Sequence, residues 1–147
     1  MLLIMFVGSF IIQYFIMPPI MVNKLVDITN SYGKAYMAMI MSLFMVLLEV
    51  MMKDYHHNAF SLYWYIAISV FVTLFIYLYK NQIAINDKQY LEGMIEHHSM
   101  ALLTSKKILN KSDDYDVIKL AKDIIEQQKE EITKMNKIID KIDSTKK

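Results

Sequence analysis

Two adjacent histidines, His97 and His98, lie between Met94 and Met100 in the stretch GMIEHHSM. At 100° per residue, Met94 and His98 fall about 40° apart on one helix face, with His97 about 60° to the other side of Met94. Met100 projects farther round, closer to His97. Thioether sulfur and neutral imidazole together suit Cu(I), with Ag(I) as a mimic, because soft donors select soft ions. The spacing is therefore compatible with a soft-metal site.

The same stretch also fits an ordinary amphipathic helix. Methionine is a common gap filler in helix cores, and adjacent histidines are often one core residue and one solvated neighbour. Helical spacing alone does not separate this interpretation from a metal site.

The histidines belong to a charged, periodic region that predicts two soluble helices within residues 81–147, at about 87–110 and 113–142. Apolar residues recur every three or four positions in both, and the second helix has a heptad seam. The seam positions are Leu91, Ile95, His98, Leu102, Ser105 and Leu109, then Ile118, Ala121, Ile125, Gln128, Ile132, Met135, Ile139 and Ile142. Because the link is short, we expect an antiparallel hairpin.

Folding about this link brings polar residues of the two helices together. His97 should come roughly level with Gln128, and Met94 with Glu131, within about one turn of 5.4 Å. Gln128 interrupts the aliphatic seam of the second helix as His98 interrupts that of the first. We expect Gln128 and Glu131 to orient an imidazole N–H of a metal-binding histidine.

A hairpin of two helices buries only one seam. It should therefore either dock on the rest of the chain or pair with a second copy in a four-helix bundle, and a homodimer through the hairpin is the simpler expectation.

Residues 1–80 predict a membrane domain. Three apolar runs, at about 2–22, 35–52 and 62–79, have the length that a membrane-spanning helix needs, and Glu49 is the one charged side chain within them. The first run lacks a basic start and a cleavage pattern, so we interpret it as a retained helix that ends around Met17. Multi-pass integration in the lipid bilayer is the predicted localisation.

Charge and composition limit the alternatives. Net charge is +1, which gives no argument for nucleic acid, and the lack of cysteine excludes disulfides, thiolate zinc sites and iron–sulfur clusters. Four lysines lie on the side of the membrane that the first loop shares with the hairpin, and Lys53 alone lies on the other side. Because lysine-rich loops tend to face the cytoplasm, this difference favours a cytoplasmic hairpin. No motif of a catalytic nucleophile, phosphate loop or di-iron bundle is present, so no enzymatic activity is predicted.

The stretch from Asp87 to Ile142 resembles the ferritin-like domain of unknown function 305 family. The family pattern Met-Ile-x-His-His-x-x-Ala is matched by Met94, Ile95, His97, His98 and Ala101. The pattern of the next helix is matched by Leu120, Ala121, Ile124, Ile125, Gln128, Glu131, Ile132 and Met135. The sequence upstream, from about Tyr32, resembles membrane-anchored members of the same family.

The resemblance implies copper binding or copper tolerance by a helical bundle with methionine and histidine ligands. Carried onto this chain, the matching positions are Met94, His97, His98 and Met135, with Met100 matching a variant of the motif.

This chain departs from the family pattern in three places. Glu96 replaces the usual proline before the histidines, Leu103 and Thr104 stand where a methionine is frequent, and Tyr115 follows Asp114 in place of the usual proline. Glu96 adds a carboxylate beside His97, which we expect to raise the basicity of that imidazole.

Two functions follow as hypotheses. The first is a membrane-anchored copper-binding protein that buffers Cu(I) or confers tolerance to it. The second is a non-catalytic module in which the hairpin serves only oligomerisation or interaction, without metal. A proton-sensing histidine cluster is a third idea, which requires stability to change steeply near the ordinary histidine pKa of about 6.5.

Overall fold

The computed structural model describes residues 1–145, and that part of the chain consists of helices and links without a strand. The predicted all-α class is therefore confirmed. The elements are α1 (Leu2–Ile11), a π-helical turn (Ile12–Ile16), α2 (Met17–Met21), a 3-10 turn (Leu25–Asp27), α3 (Tyr32–His57), α4 (Leu62–Lys80), α5 (Asp87–Ile108) and α6 (Tyr115–Thr145).

The first apolar segment remains helical beyond its predicted end at Met17 and continues to Met21. A π-helical turn precedes Pro18 and Pro19, and the Met17 N–H donates to the Ile12 carbonyl. Both prolines lie in the first turn of α2, where a missing N–H is tolerated. The wider turn relieves the proline clash with the preceding carbonyls, so the helix continues instead of ending.

Three helical segments are long and apolar enough to cross a membrane, as the sequence predicts: Leu2–Met21, Tyr32–His57 and Leu62–Lys80. Their mean hydropathies of 1.9, 2.0 and 1.8 are similar. The second is longer at both ends than the predicted 35–52, and only it buries a substantial face, because α1 and α4 both pack on it.

These apolar helices form one compact unit, residues 1–17 and 32–84. Its core is a cluster of Leu43, Val46, Val50 and Ile68. The link between α3 and α4 is held by Asp54, whose carboxylate accepts hydrogen bonds from the Ser61 N–H at 2.7 Å and the Ser61 hydroxyl at 2.8 Å.

The second unit joins residues 18–31 to the chain from Ile85 onward. The sequence-based division at residue 80 places 18–31 with the apolar helices, whereas the contacts place this segment with α5 and α6. Within this unit α5 and α6 pack on each other and bury Ile95, Leu102, Ala121 and Met135. Asn23, Asp27 and Thr29 of this segment form hydrogen bonds with α5.

Side-chain caps define where the two C-terminal helices begin. Asn86 Oδ1 accepts from the Gln89 N–H at 3.0 Å, so Asn86 is the N-cap of α5. Asp114 Oδ1 accepts from the N–H groups of Asp116 and Val117 at 2.9 and 3.0 Å. This cap starts α6 at Tyr115 rather than at the expected residue 113.

Candidate metal centre

His98 is the inward-facing histidine of α5. Its side chain is 13% exposed, and its Nδ1 lies 3.1 Å from Glu131 Oε2 on α6. The two atoms lack the alignment of a hydrogen bond, so the buried Nδ1 has no hydrogen-bond partner among residues 1–145. A buried ring nitrogen with unused bonding capacity is a feature that calls for a functional explanation.

The surroundings of His98 favour its neutral form. Burial lowers the pKa of His98 below its ordinary value of 6.5, and the nearby His97 lowers it further, whereas the Glu131 carboxylate acts in the opposite direction. Neutral imidazole is the form that binds metal ions, because a protonated ring has no free lone pair.

His97 occupies a different environment from its neighbour. Its side chain is exposed, and its ring centroid lies 6.2 Å from that of His98, with the two ring planes inclined at 61°. Successive residues of a helix point about 100° apart. The structure therefore brings the two rings near each other but puts only His98 inside.

The predicted thioether donors divide between the two helices. Met94 is half-buried on α5, one turn before His98, and Met135 is buried on α6, one turn after Glu131. Since His98 meets Glu131, and Lys88 near the start of α5 pairs with Asp143 near the end of α6 at 2.8 Å, helix geometry puts Met94 and Met135 at the same level.

Met100 is half-buried and follows His98 by two positions on α5, so it points to another side of that helix. It is not at the level shared by Met94 and Met135.

The pairing of the helices differs by one turn from the expected register. Glu131 contacts His98, whereas the sequence predicted that it would lie level with Met94. Half-buried Gln128 lies one turn nearer the link. Turn hydrogen bonds continue past the end of α5, where the Lys111 N–H donates to the Ile108 carbonyl at 2.9 Å.

Residues 23–31, which we call the clasp, hold the opposite side of α5. The Ser99 hydroxyl donates to Asp27 Oδ2 at 2.5 Å and accepts from the Asn23 N–H at 3.0 Å. Ser99 and Asp27 are both buried. These bonds fix the rotation of α5 about its axis, and thereby the direction in which His98 points.

Glu96 belongs to the clasp contacts and not to the histidines. It is 5% exposed, and its Oε2 accepts a hydrogen bond from the Thr29 N–H at 2.9 Å, while the Thr29 hydroxyl donates to the Glu92 carbonyl at 2.8 Å. The sequence did not reveal this long-range partner, and the expected action of Glu96 on His97 stays a prediction. In the structure, Glu96 binds the clasp through Thr29.

The clasp contacts were missed from the sequence, although a signal for them exists. Glu92, Glu96 and Ser99 recur four and three apart, which marks a second face of α5 with polar residues. Gly93 lies on the same side, and a Cβ at that position would come within 3.3 Å of Ser31 Oγ. Polar side chains at core spacing together with a glycine indicate close packing against another backbone segment.

The donor chemistry of this centre restricts the metals that it suits. Within residues 1–145, no group of three or more His, Asp or Glu side chains is placed to hold a metal ion. A metal at His98 would therefore depend on the sulfur atoms of Met94 and Met135. Thioether and imidazole donors fit Cu(I), and this set does not fit zinc or iron sites built from thiolate or carboxylate.

Comparison with known proteins identifies the family of the region that contains α5 and α6. Residues 77–139, which include α5 and most of α6, match the family model described as a domain of unknown function (DUF305). The chain is 35% identical over 140 residues to Uncharacterized protein L153 of Acanthamoeba polyphaga mimivirus, a similarity that covers 95% of this chain and 91% of that protein. No solved structure matches the chain. The chain belongs to the domain of unknown function 305 family.

Proposed function

We propose that this chain is a membrane-anchored copper-binding protein that buffers Cu(I) or confers tolerance to it. Its carrying observation is the inward-facing His98, whose side chain is 13% exposed and lies one turn after half-buried Met94 on α5. The ligands of this proposal are Met94, His98 and Met135, with His97 and Met100 as further donors. A bound Cu(I) ion would be held in its reduced, soft state by these donors.

Glu131 has a supporting part in this proposal. Its carboxylate lies 3.1 Å from His98 Nδ1, and a small rotation would let it accept the Nδ1–H. Such a bond fixes the ring and leaves Nε2 as the metal-binding nitrogen. Gln128, one turn away on α6, is proposed to stabilise the same centre from the side of the link.

The proposed scaffold is an antiparallel hairpin, half of a ferritin-like four-helix bundle, tethered by three spanning helices. The Lys88–Asp143 and His98–Glu131 contacts support the antiparallel order of α5 and α6. Exposed apolar side chains on Leu2–Met21, Tyr32–His57 and Leu62–Lys80 support contact of these three segments with lipid. Three spans also put the clasp and α5 on one side of the membrane, as their hydrogen bonds require, and the lysine count favours the cytoplasm.

Equilibrium Cu(I) competition with a chromophoric chelator, under reducing conditions, tests copper binding. The full-length protein is needed, because the compact C-terminal unit includes residues 18–31 and an isolated hairpin would lack its clasp. We expect Met94→Ala and His98→Ala each to weaken Cu(I) binding about tenfold or more. Exposed His57→Ala and Met52→Ala are the matched controls and should bind like wild type. Wild-type affinity in both site variants contradicts the proposal.

The second candidate is a non-catalytic oligomerisation module without metal. Exposed apolar residues near the start of α6 favour it, since Leu120 is 60% exposed and Tyr115 75% exposed. A second copy covering this surface would complete a four-helix bundle. This candidate predicts that His98→Leu tightens self-association and that copper leaves the melting temperature unchanged, whereas the copper proposal predicts a copper-dependent increase.

A further inference from the structure

A cavity of about 330 Å³ lies where the clasp, α5 and α6 meet. Its lining does not include His98, Met94 or Met135, and its walls combine polar and apolar side chains. The lining residues are Asn23, Lys24 and Asp27 from the clasp, Leu102 and Lys106 from α5, and Lys129, Ile132 and Thr133 from α6. Its volume is at the lower end of the range that holds small ligands.

The charge of this cavity is positive. The cavity is lined by three lysines, Lys24, Lys106 and Lys129. Its one acidic residue, Asp27, is buried and accepts a hydrogen bond from the Ser99 hydroxyl. Lys106 Nζ donates to the neutral amide oxygen of Asn23 at 2.8 Å. Within residues 1–145 none of the three lysines forms an ion pair with a carboxylate, and three ammonium groups face one carboxylate in this lining.

The positive surface continues along α6. A shallow depression next to the cavity shares Lys129 and Thr133 with it and adds Lys134 and Lys137, with Glu130 as its one acidic residue. Ammonium groups on flexible stems act as point charges toward phosphate oxygens and adapt to different headgroups. The cavity and the depression together form a basic groove.

We propose that the basic groove binds a phosphate group, and that its source is an anionic phospholipid headgroup. Lys24 follows Met21, the last residue of the first apolar segment, by three positions, which limits their separation to about 11 Å of extended chain. Lysines this close to a spanning helix attract anionic lipids. The choice of a lipid source rests on the membrane anchorage proposed above; the charge and volume of the groove do not depend on copper.

Binding to the full-length protein in neutral detergent tests this inference. Short-chain fluorescent phosphatidylglycerol is the probe, phosphatidylcholine is the neutral comparison, and inorganic phosphate at matched ionic strength is the soluble comparison. The double variant Lys24→Gln/Lys129→Gln removes two charges from the groove. Lys119→Gln/Lys122→Gln removes the same charge from exposed positions of α6 outside the groove.

We expect the groove variant to raise the phosphatidylglycerol dissociation constant about tenfold or more, since lysines near the membrane surface attract anionic lipids. The control should stay within about twofold. Lys24→Arg/Lys129→Arg retains the charge and should retain binding, which separates a lost site from a lost fold. Equal binding of phosphatidylcholine, or equal losses in the groove variant and its control, overturns the inference.

Competition by inorganic phosphate tests whether the bound phosphate group comes from a lipid headgroup or from free phosphate. If free phosphate competes at low millimolar concentration with the same lysine dependence, the phosphate site stands but the lipid assignment is wrong. Copper affinity, measured in parallel, should be unchanged in Lys24→Gln/Lys129→Gln. A failure of copper binding and a failure of the groove would therefore be seen separately.

Discussion

The Ser99 hydroxyl donates to Asp27 Oδ2 across 2.5 Å, and this bond connects α5 to a segment 72 positions earlier in the chain. Both residues are buried, and the Asn23 N–H adds a hydrogen bond to the same Ser99 oxygen at 3.0 Å. A buried carboxylate is strongly unfavourable without such partners. The clasp is therefore part of the framework that orients the candidate metal centre.

The first prediction concerns the stability of this contact. Ser99→Ala leaves the Asp27 carboxylate short of a donor, and we expect it to lower the free energy of unfolding by about 1–3 kcal/mol. Asp27→Ala should have an effect of similar size. Because both changes break the same bond, the double variant should lose clearly less than the sum of the single losses in thermal or chemical unfolding. Strict additivity would show that the two side chains act independently.

The second prediction separates the clasp from the histidines. Glu96→Leu removes the acceptor for the Thr29 N–H and should destabilise the protein by about 1–3 kcal/mol, as measured by unfolding. Glu96→Gln keeps an acceptor oxygen and should be much milder. If Glu96 serves the clasp, Glu96→Gln leaves the pH dependence of Cu(I) affinity unchanged. A shift of that dependence would instead support an action of Glu96 on His97.

The third prediction is a pH dependence of stability in metal-free protein. Burial lowers the pKa of His98 in the folded chain below its unfolded value of about 6.5. The unfolded state then binds the proton more tightly, so the stabilisation is present above about pH 6.5 and is lost as the pH falls through the folded-state pKa. The melting temperature should therefore decrease from pH 7 to pH 5.

The matched variants for this prediction are His98→Gln and His97→Gln. The first should reduce the decrease in melting temperature, and the second, at an exposed position, should retain most of it. Equal pH profiles for His98→Gln and wild type would assign the decrease to other groups.

The fourth prediction concerns the order of the two C-terminal helices. The chain has no cysteine, so a pair of introduced cysteines reacts without background. Lys88→Cys/Asp143→Cys should be joined by a short bismaleimide, because the native side chains meet at 2.8 Å. Lys88→Cys/Lys119→Cys, which places the second thiol near the start of α6, should not be joined within one chain. Electrophoresis after proteolysis in the α5–α6 link distinguishes the products.

The fifth prediction concerns the sides of the membrane. With three spans, the α3–α4 link and the α5–α6 region lie on opposite sides. Ala59→Cys and Tyr115→Cys, both exposed, should therefore be labelled from opposite faces of sealed vesicles by a charged maleimide. Labelling of both thiols from the same face would contradict three complete spans.

The sequence by itself determined the helices and most of their limits. Uninterrupted apolar runs predict long apolar helices because a helix satisfies its own backbone hydrogen bonds. Seam residues such as Ile95, Leu102 and Ala121 were predicted to be core and are buried, because helical spacing puts them on one face. The start of α5, predicted at about residue 87, depends on a local interaction, because the Asn86 side chain accepts from the N–H three residues later.

Only the tertiary structure decided which side chains meet across the candidate centre. The contact of His98 with Glu131 differs by about one turn from the register expected from the sequence, because helical periodicity alone does not set which residues of two helices meet. The roles of Glu96 and Ser99 depend on partners 67 and 72 positions away. Helical periodicity fixes the face on which a residue lies, but the choice of partner is made by the packing of segments that are remote along the chain.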